Sequence, residues 1–269
     1  MALRKEVEQA ITQARIYDLS VEFYVGVPRR MTVPPFSFSL IRAHRDAPDP
    51  RRHSSAACLF SMGGHTGTHI DAFNHIADGG RVYGHPEAIF EHESYGSGVL
   101  IGAIDETPPI LRRGILLDIP RVRGVDFLGP KDVATPDDFR AAEQVENVQV
   151  SEGDVVLVRT GWMHWWAEDP QRYNAPVDVI PGVGLSAAEW LAERKIAFTG
   201  ADTTSYEKVD QTKHAVHTLF LNKVGIQIME NMYLEEVARD RVYEFVFVAL
   251  PLRIKGGTAS PIRPVAVLC

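Results

Sequence analysis

With only two cysteines, Cys58 and Cys269, in 269 residues, the chain has no disulfide framework, which fits a reducing compartment. The same scarcity argues against a closed zinc knuckle built on thiolates. Positive charge is also short: 28 Lys and Arg against 35 Asp and Glu leave a net charge of -7 and a pI near 5.8. That balance excludes the basic footprint of a nucleic-acid binder, and Arg29-Arg30 and Arg51-Arg52 are too short to supply one. No apolar run reaches the length of a membrane span, and Met1 to Arg15 lacks the apolar stretch of a signal peptide. There is no Gly-x-Ser-x-Gly elbow, no internal repeat, and no linker marked by a change of composition. What remains is expected to be a cytoplasmic globular protein of one domain over 1–269, with 45% hydrophobic and 23% charged residues.

Histidine, by contrast, is concentrated. The eleven residues from His65 to His75 hold three of the ten histidines and the carboxylate of Asp71. Imidazole nitrogens with a carboxylate oxygen suit Zn²⁺ or Mn²⁺, and a site with so few protein ligands stays open for chemistry. Extended backbone would put His65, Gly67, His69 and Asp71 on one face. A helix would swing Asp71 away, and Thr66-Gly67-Thr68 is a poor helix former, so the cluster is placed on a strand end and turn. Gly63, Gly64 and Gly67 give the backbone the freedom to converge several ligands on one point.

The rest of the chain reads as α/β with a mixed, mostly buried sheet. Residues 3 to 14 predict an amphipathic helix and Ile16 to Phe23 a strand. Pro28 to Pro50 reads as a long exposed excursion, and Ser55 to Met62 as a buried strand feeding the histidines. Val99 to Ile104, Gly114 to Ile119 and Asp154 to Arg159 are β-branched, apolar runs of strand length, and Ala197 to Gly200 is read as a strand into which the helix after Ser186 runs. Tyr243 to Leu252 is apolar enough for a central one. Thr135-Pro136-Asp137-Asp138 supplies a cap, a first-turn proline and acids for a helix start, and Ser186 to Glu189 reads as a capping box.

Hydrolysis at an open metal needs groups that move protons and stabilise an oxyanion. His217 and Glu230 are the best distant candidates, Glu230 because it ends an apolar run where a strand gives way near a sheet edge. His214, beside Lys213, is expected to be exposed. Trp162-Met163-His164-Trp165-Trp166 holds three of the four tryptophans, and Trp162 with Phe73 is read as an aromatic, substrate-binding wall.

The run His65-Thr66-Gly67-Thr68-His69-Ile70-Asp71 followed by His75 resembles the H-x-G-T-H-x-D-x-x-x-H signature of the cyclase family of metal-dependent hydrolases, which includes bacterial kynurenine formamidases and isatin hydrolases. Asp18-Leu19-Ser20, Leu157 to Trp162, Gly200-Ala201-Asp202 with Ser205, His217 with Leu219, Gly225 to Asn231, Leu250-Pro251-Leu252 and Ser260 to Arg263 resemble further landmarks in family order. The resemblance implies a curved, partly barrel-like sheet flanked by helices, of the swivelling β/β/α type, assembled as a homodimer or homotetramer. It implies a first divalent ion on His65, His69 and Asp71. In binuclear members Asp71 bridges to a second ion held also by His75, His217 and Glu230; in mononuclear members His75 is free as acid and base. Formamidases of this type usually carry proline two residues after the aspartate, where this chain has Phe73.

The function expected is hydrolysis of a C–N or ester bond in a small amide, lactam, lactone or N-formyl arylamine, with His75 or Glu230 carrying protons. The rivals are a lyase or cyclase on the same site and a non-catalytic metal-binding protein.

Overall fold

A computed structural model describes residues 4–49, 51–209 and 214–268. Nine strands form one strongly curled, half-barrel sheet. In spatial order they are Arg15–Asp18, Val265–Leu268, Glu244–Ala249, Ile110–Asp118, Val155–Arg159, Phe198–Ala201, Gln227–Glu230, His69–Asp71 and Ala259–Pro261. The four from Ile110–Asp118 to Gln227–Glu230 run parallel, and the strands outside them pair antiparallel. Parallel strands are covered on both faces, and the two from Ile110–Asp118 and Val155–Arg159 accordingly carry apolar runs of Val, Ile and Leu. One face packs on Phe139, Trp190, Leu191 and Phe220, drawn from helices and their extensions. The other is closed by Tyr17, Ile70, Leu116, Met229 and Phe247.

The helix signal at Thr135 is met: Pro136–Glu146 is helical, with Thr135 and Asp138 capping each other's backbone. At Ser186 the expected capping box is absent, because the Leu185–Glu193 helix begins one residue earlier on Gly184 and makes no side-chain cap. The first strand stops at Asp18, whose carboxylate accepts from the amide and hydroxyl of Ser20 and turns the chain. Val99 to Ile104 is not a strand: Gly102 takes a φ of +60°, which extended backbone does not allow, and only Gly98–Val99 pairs.

The Ser55 to Met62 segment departs most from expectation. Its strand, Ala57–Ser61, pairs antiparallel with Ser37–Arg42 as a separate two-stranded arm and is exposed rather than buried. With no second layer over it, the arm leaves Phe38, Leu40, Leu59 and Phe60 at least half exposed. Cys58 is likewise exposed, and Cys269 lies outside the described residues. No helix among them is long and apolar enough to cross a membrane.

Candidate functional site

The carboxyl ends of parallel strands are where side chains meet without a covering layer, and the candidate site lies there. The Gln227–Glu230 strand ends on Glu230, which stands opposite His69 in the antiparallel ladder. Two residues on, Asp71 shares the His69 face, while Ile70 points into the core. His65 arrives by a different route from the one its spacing suggests. Residues 64 to 68 form a turn rather than an extended segment, and Gly67, at φ +61°, makes that turn possible. A Cβ there would stand 2.5 Å from the Phe23 ring. The turn folds His65 back so that its Nδ1 lies 2.9 Å from Asp71 Oδ1.

The surrounding hydrogen bonds fix the ligand geometry. His69 Nδ1 lies 2.8 Å from the carbonyl oxygen of Gly67. A carbonyl only accepts, so Nδ1 carries the proton and Nε2 keeps its lone pair. That Nε2 lies 3.5 Å from both Asp71 Oδ1 and Glu230 Oε2. Asn231 donates to the same Gly67 carbonyl and accepts from the Tyr173 hydroxyl. Thr68 donates to the Asn231 carbonyl, tying the histidine turn to the end of the neighbouring strand.

His217 comes from the short helix Ala215–His217. Its Nε2 lies 3.2 Å from Glu230 Oε1 and 3.7 Å from Asp71 Oδ2. Its Nδ1 makes a short contact with Glu207, which also accepts from the amides of Val216 and His217. Glu207 is 1% exposed and was not legible in the sequence, since an isolated acid ten residues before a histidine carries no pattern. His214, expected to be exposed, is instead only partly so: it lines the cleft 3.5 Å from Glu207 and forms with Glu207 and His217 a further group that could hold a cation. His75 stacks beside His65, ring centroids 4.1 Å apart, and is 6.3 Å from His217. Its ring makes no hydrogen bond to the described residues.

Burial opposes ionisation of Asp71, but the histidines around it, His75 first and then His65 and His69, hold its carboxyl well below the usual range. Glu207 is likewise penalised by burial yet drawn down to about 2 by His214 and His217. For His217 burial is outweighed by Glu207 and Glu230, which raise it to about 10. Burial, with the neighbouring His65 and His217 adding to it, outweighs Asp71 and Glu230 at His75 and presses it down to about 4.

The donor set fits a divalent cation. His69 Nε2 and both carboxylate oxygens of Asp71 are buried with no hydrogen-bond partner, a costly state unless another group satisfies them. His65, His69 and Asp71 form one group whose ligand atoms lie within 4.8 Å of each other, and Asp71, His217 and Glu230 form a second. Nitrogen and oxygen donors of this kind suit Zn²⁺ or Mn²⁺.

These groups open on a cleft of about 300 Å³ whose other walls include Arg29, Arg30, Thr204, Ser205 and Asn231. The aromatic wall is not part of it. Trp162 is fully buried, its indole N–H donating to the Tyr173 carbonyl, in a core with Val21, Val27 and Phe36. Phe73 packs on Tyr83, centroids 5.3 Å apart, against the helical core. Trp162 is drawn fully inward and Phe73 partly so, because large apolar rings gain from burial against a core. His164 stacks on Phe127.

A family model described as "Putative cyclase" matches residues 17–208. A kynurenine formamidase from Bacillus cereus is 28% identical over 206 residues, 76% of this chain and 77% of that protein. Another, from Bordetella petrii, is 32% identical over 113 residues, 41% of this chain and 47% of its own. Among solved structures, a novel cyclase superposes with a TM-score of 0.86 at 25% identity, covering 98% of this chain and 90% of that one. Isatin hydrolase A from Ralstonia solanacearum superposes at 0.76 and 25% identity, covering 98% and 95%.

Proposed function

The chain belongs to the cyclase family of metal-dependent hydrolases, and we propose that it cleaves the C–N or ester bond of a small amide, lactam, lactone or N-formyl arylamine with water as nucleophile. The observation that carries this reading is the convergence of unpartnered, buried His69 Nε2 and Asp71 oxygens with His65, Glu230 and His217 at a cleft of small-molecule size. Relatives that hydrolyse an N-formyl arylamine and a cyclic amide support the bond class. The two ligand groups share Asp71, and their residues would hold one or two divalent ions, Zn²⁺ or Mn²⁺.

A bound divalent ion supplies Lewis-acid chemistry, bringing the pKa of water from about 15.7 toward roughly 7 and polarising the scissile carbonyl. The chain's own residues do the rest. Glu207 fixes the His217 ring so that Nε2 faces Glu230 and Asp71, as outer-shell carboxylates do for ligating imidazoles. The Gly67 carbonyl fixes the His69 tautomer. His75 belongs to neither ligand group and is free to move a proton: its ring accepts one from water as oxygen bonds to the carbonyl carbon. It returns that proton to the leaving nitrogen or oxygen as the bond breaks. Glu230, within reach of both ligand groups, is the alternative carrier.

The test is turnover of a panel of amides, lactams, lactones and N-formyl arylamines by metal-loaded protein, with product masses. Hydrolysis adds one water; a lyase or cyclase reaction on the same site does not. His69→Ala should lose bound metal and turnover together, and full turnover without metal refutes the mechanism. A homodimer or homotetramer is proposed on the family resemblance, and the exposed Phe38, Leu40, Leu59 and Phe60 arm offers apolar surface for a second copy. Light scattering on the purified protein measures the mass.

A further inference from the structure

Arg29 and Arg30 carry the same charge but have opposite fates. The Arg29 guanidinium donates to the carbonyls of Arg30, at 3.1 Å, and Val33, at 2.7 Å. Together with the Val33 amide on the Arg30 carbonyl, these bonds clamp the loop at the mouth of the cleft. Val27 and Phe36 anchor the loop's two ends in the core that holds Trp162. Arg30, on this fixed loop, lines the cleft and is partly buried, yet its guanidinium has no acceptor among the described residues. Arg113, Arg123, Arg159 and Arg263 each pair with a carboxylate.

The rest of the cleft wall is also rich in unused donors. Thr204 Oγ1 and Ser205 Oγ are buried without partners, and both residues line the same space. Of the acceptors there, Asn231 Oδ1 takes the Tyr173 hydroxyl, and the Asp71 and Glu230 carboxylates face the histidines with which they would hold the ion. Buried donors with no acceptor are costly, so the ligand that fills the cleft is one that brings acceptor oxygens and negative charge.

We infer that the substrate carries a carboxylate, separate from the bond that is cut, and that Arg30 is the residue that binds it. The inference rests on the hydrolase reading above and narrows its substrate class to small amides, lactams or esters bearing an acid group. One guanidinium matches the single charge and paired oxygens of a carboxylate. In a protein of net charge -7, Arg30 on the cleft wall supplies the local positive charge that an anionic substrate needs there. Arg30 is a specificity residue; it touches substrate but moves no proton.

The experiment compares kcat/KM for formanilide with kcat/KM for ortho-, meta- and para-formamidobenzoate, which carry the same scissile bond. It uses metal-loaded wild type, Arg30→Met and Arg30→Lys, and calorimetry measures benzoate and benzamide binding to each. Wild type is expected to favour at least one acid over formanilide by about tenfold or more, the scale of a charge-assisted hydrogen bond. Arg30→Met should remove that preference through KM and weaken benzoate by a similar factor, leaving formanilide and benzamide within about twofold; Arg30→Lys should restore part of it. Benzoate held by the ion alone would bind all three proteins equally and overturn the inference. So would an equal loss for charged and neutral substrates, which marks a structural role, or no acid preferred in wild type. If none of the four formamides is cut, the hydrolase reading fails for that bond, and the benzoate titration still decides whether Arg30 holds a carboxylate.

Discussion

Replacing Glu146 with glutamine should leave the protein unchanged in mild acid and stabilise it increasingly as pH rises to neutral and above. Glu146 ends the Pro136–Glu146 helix and is 7% exposed. One carboxyl oxygen accepts from the Asp118 amide at 3.0 Å; the other has no partner. Burial first, and the nearby Asp118 charge after it, raise its pKa from 4.5 to about 8 against the opposing pull of that amide. A folded-state pKa above the unfolded value means that the folded protein holds the proton longer. Its contribution to stability is complete below the unfolded pKa and is lost as pH rises through the folded one. Between those limits the loss approaches about 1.4 kcal/mol per pH unit, or roughly 3 kcal/mol from about pH 5 to about pH 7. Glutamine keeps the acceptor for Asp118 and replaces the acid proton with an amide donor, so E146Q removes this slope. Urea unfolding of both proteins in chelator, across about pH 5 to 8, measures the difference, and pH dependence from other groups cancels in it. Parallel profiles, or a variant weaker at every pH, would refute the assignment of a buried neutral acid.

The other perturbations act at the cleft. Glu207→Gln replaces the carboxylate that orients His217 and should weaken divalent-ion affinity by about ten- to a hundredfold, the range for outer-shell partners; calorimetry showing wild-type affinity rules out the positioning role. Gly67→Ala forces a side chain into φ +61° and against Phe23, and should cost about 1–3 kcal/mol in urea unfolding while loosening the turn that carries His65. Unchanged stability and metal affinity would show that the turn tolerates another backbone. Metal at about a hundred times its dissociation constant should add about 2.7 kcal/mol of stability, or roughly 5–10 °C in Tm for a chain of this size. Chelation should remove that increment from wild type and change nothing in His69→Ala, whereas equal shifts in both would place the ion elsewhere.

Local chemistry was read correctly at Thr135, though not at Ser186, where the helix starts earlier and makes no side-chain cap. Thr135 and Pro136 start a helix because their cap and fixed φ need no distant partner. The β-branched runs at Gly114 to Ile119 and Asp154 to Arg159 became parallel strands because both faces are covered. The arm at Ala57–Ser61 misled for the complementary reason: its residues have the apolar character of a core strand, and whether such a strand is covered depends on what else the chain brings over it. Trp162 and Phe73 failed similarly, since the preference of an aromatic ring for burial does not say which buried place it takes.

The centre itself divides along the same line. His65, His69 and Asp71 were legible because seven residues of sequence contain them, although a turn at Gly67 rather than strand alternation joins them. His217 and Glu230 are brought to Asp71 by strand order, with Glu230 placed opposite His69 by the ladder register. Glu207 and Arg30 had no local signature. One is an acid whose role depends on the imidazole it reaches ten residues later. The other is half of a basic pair whose members differ only because the loop carbonyls take up Arg29 and leave Arg30 to the cleft. A short motif therefore shows that the site offers ligands for a divalent ion. What the ion acts upon depends on residues whose partners are missing from the chain, and an unpartnered buried donor is the structural mark of such a residue.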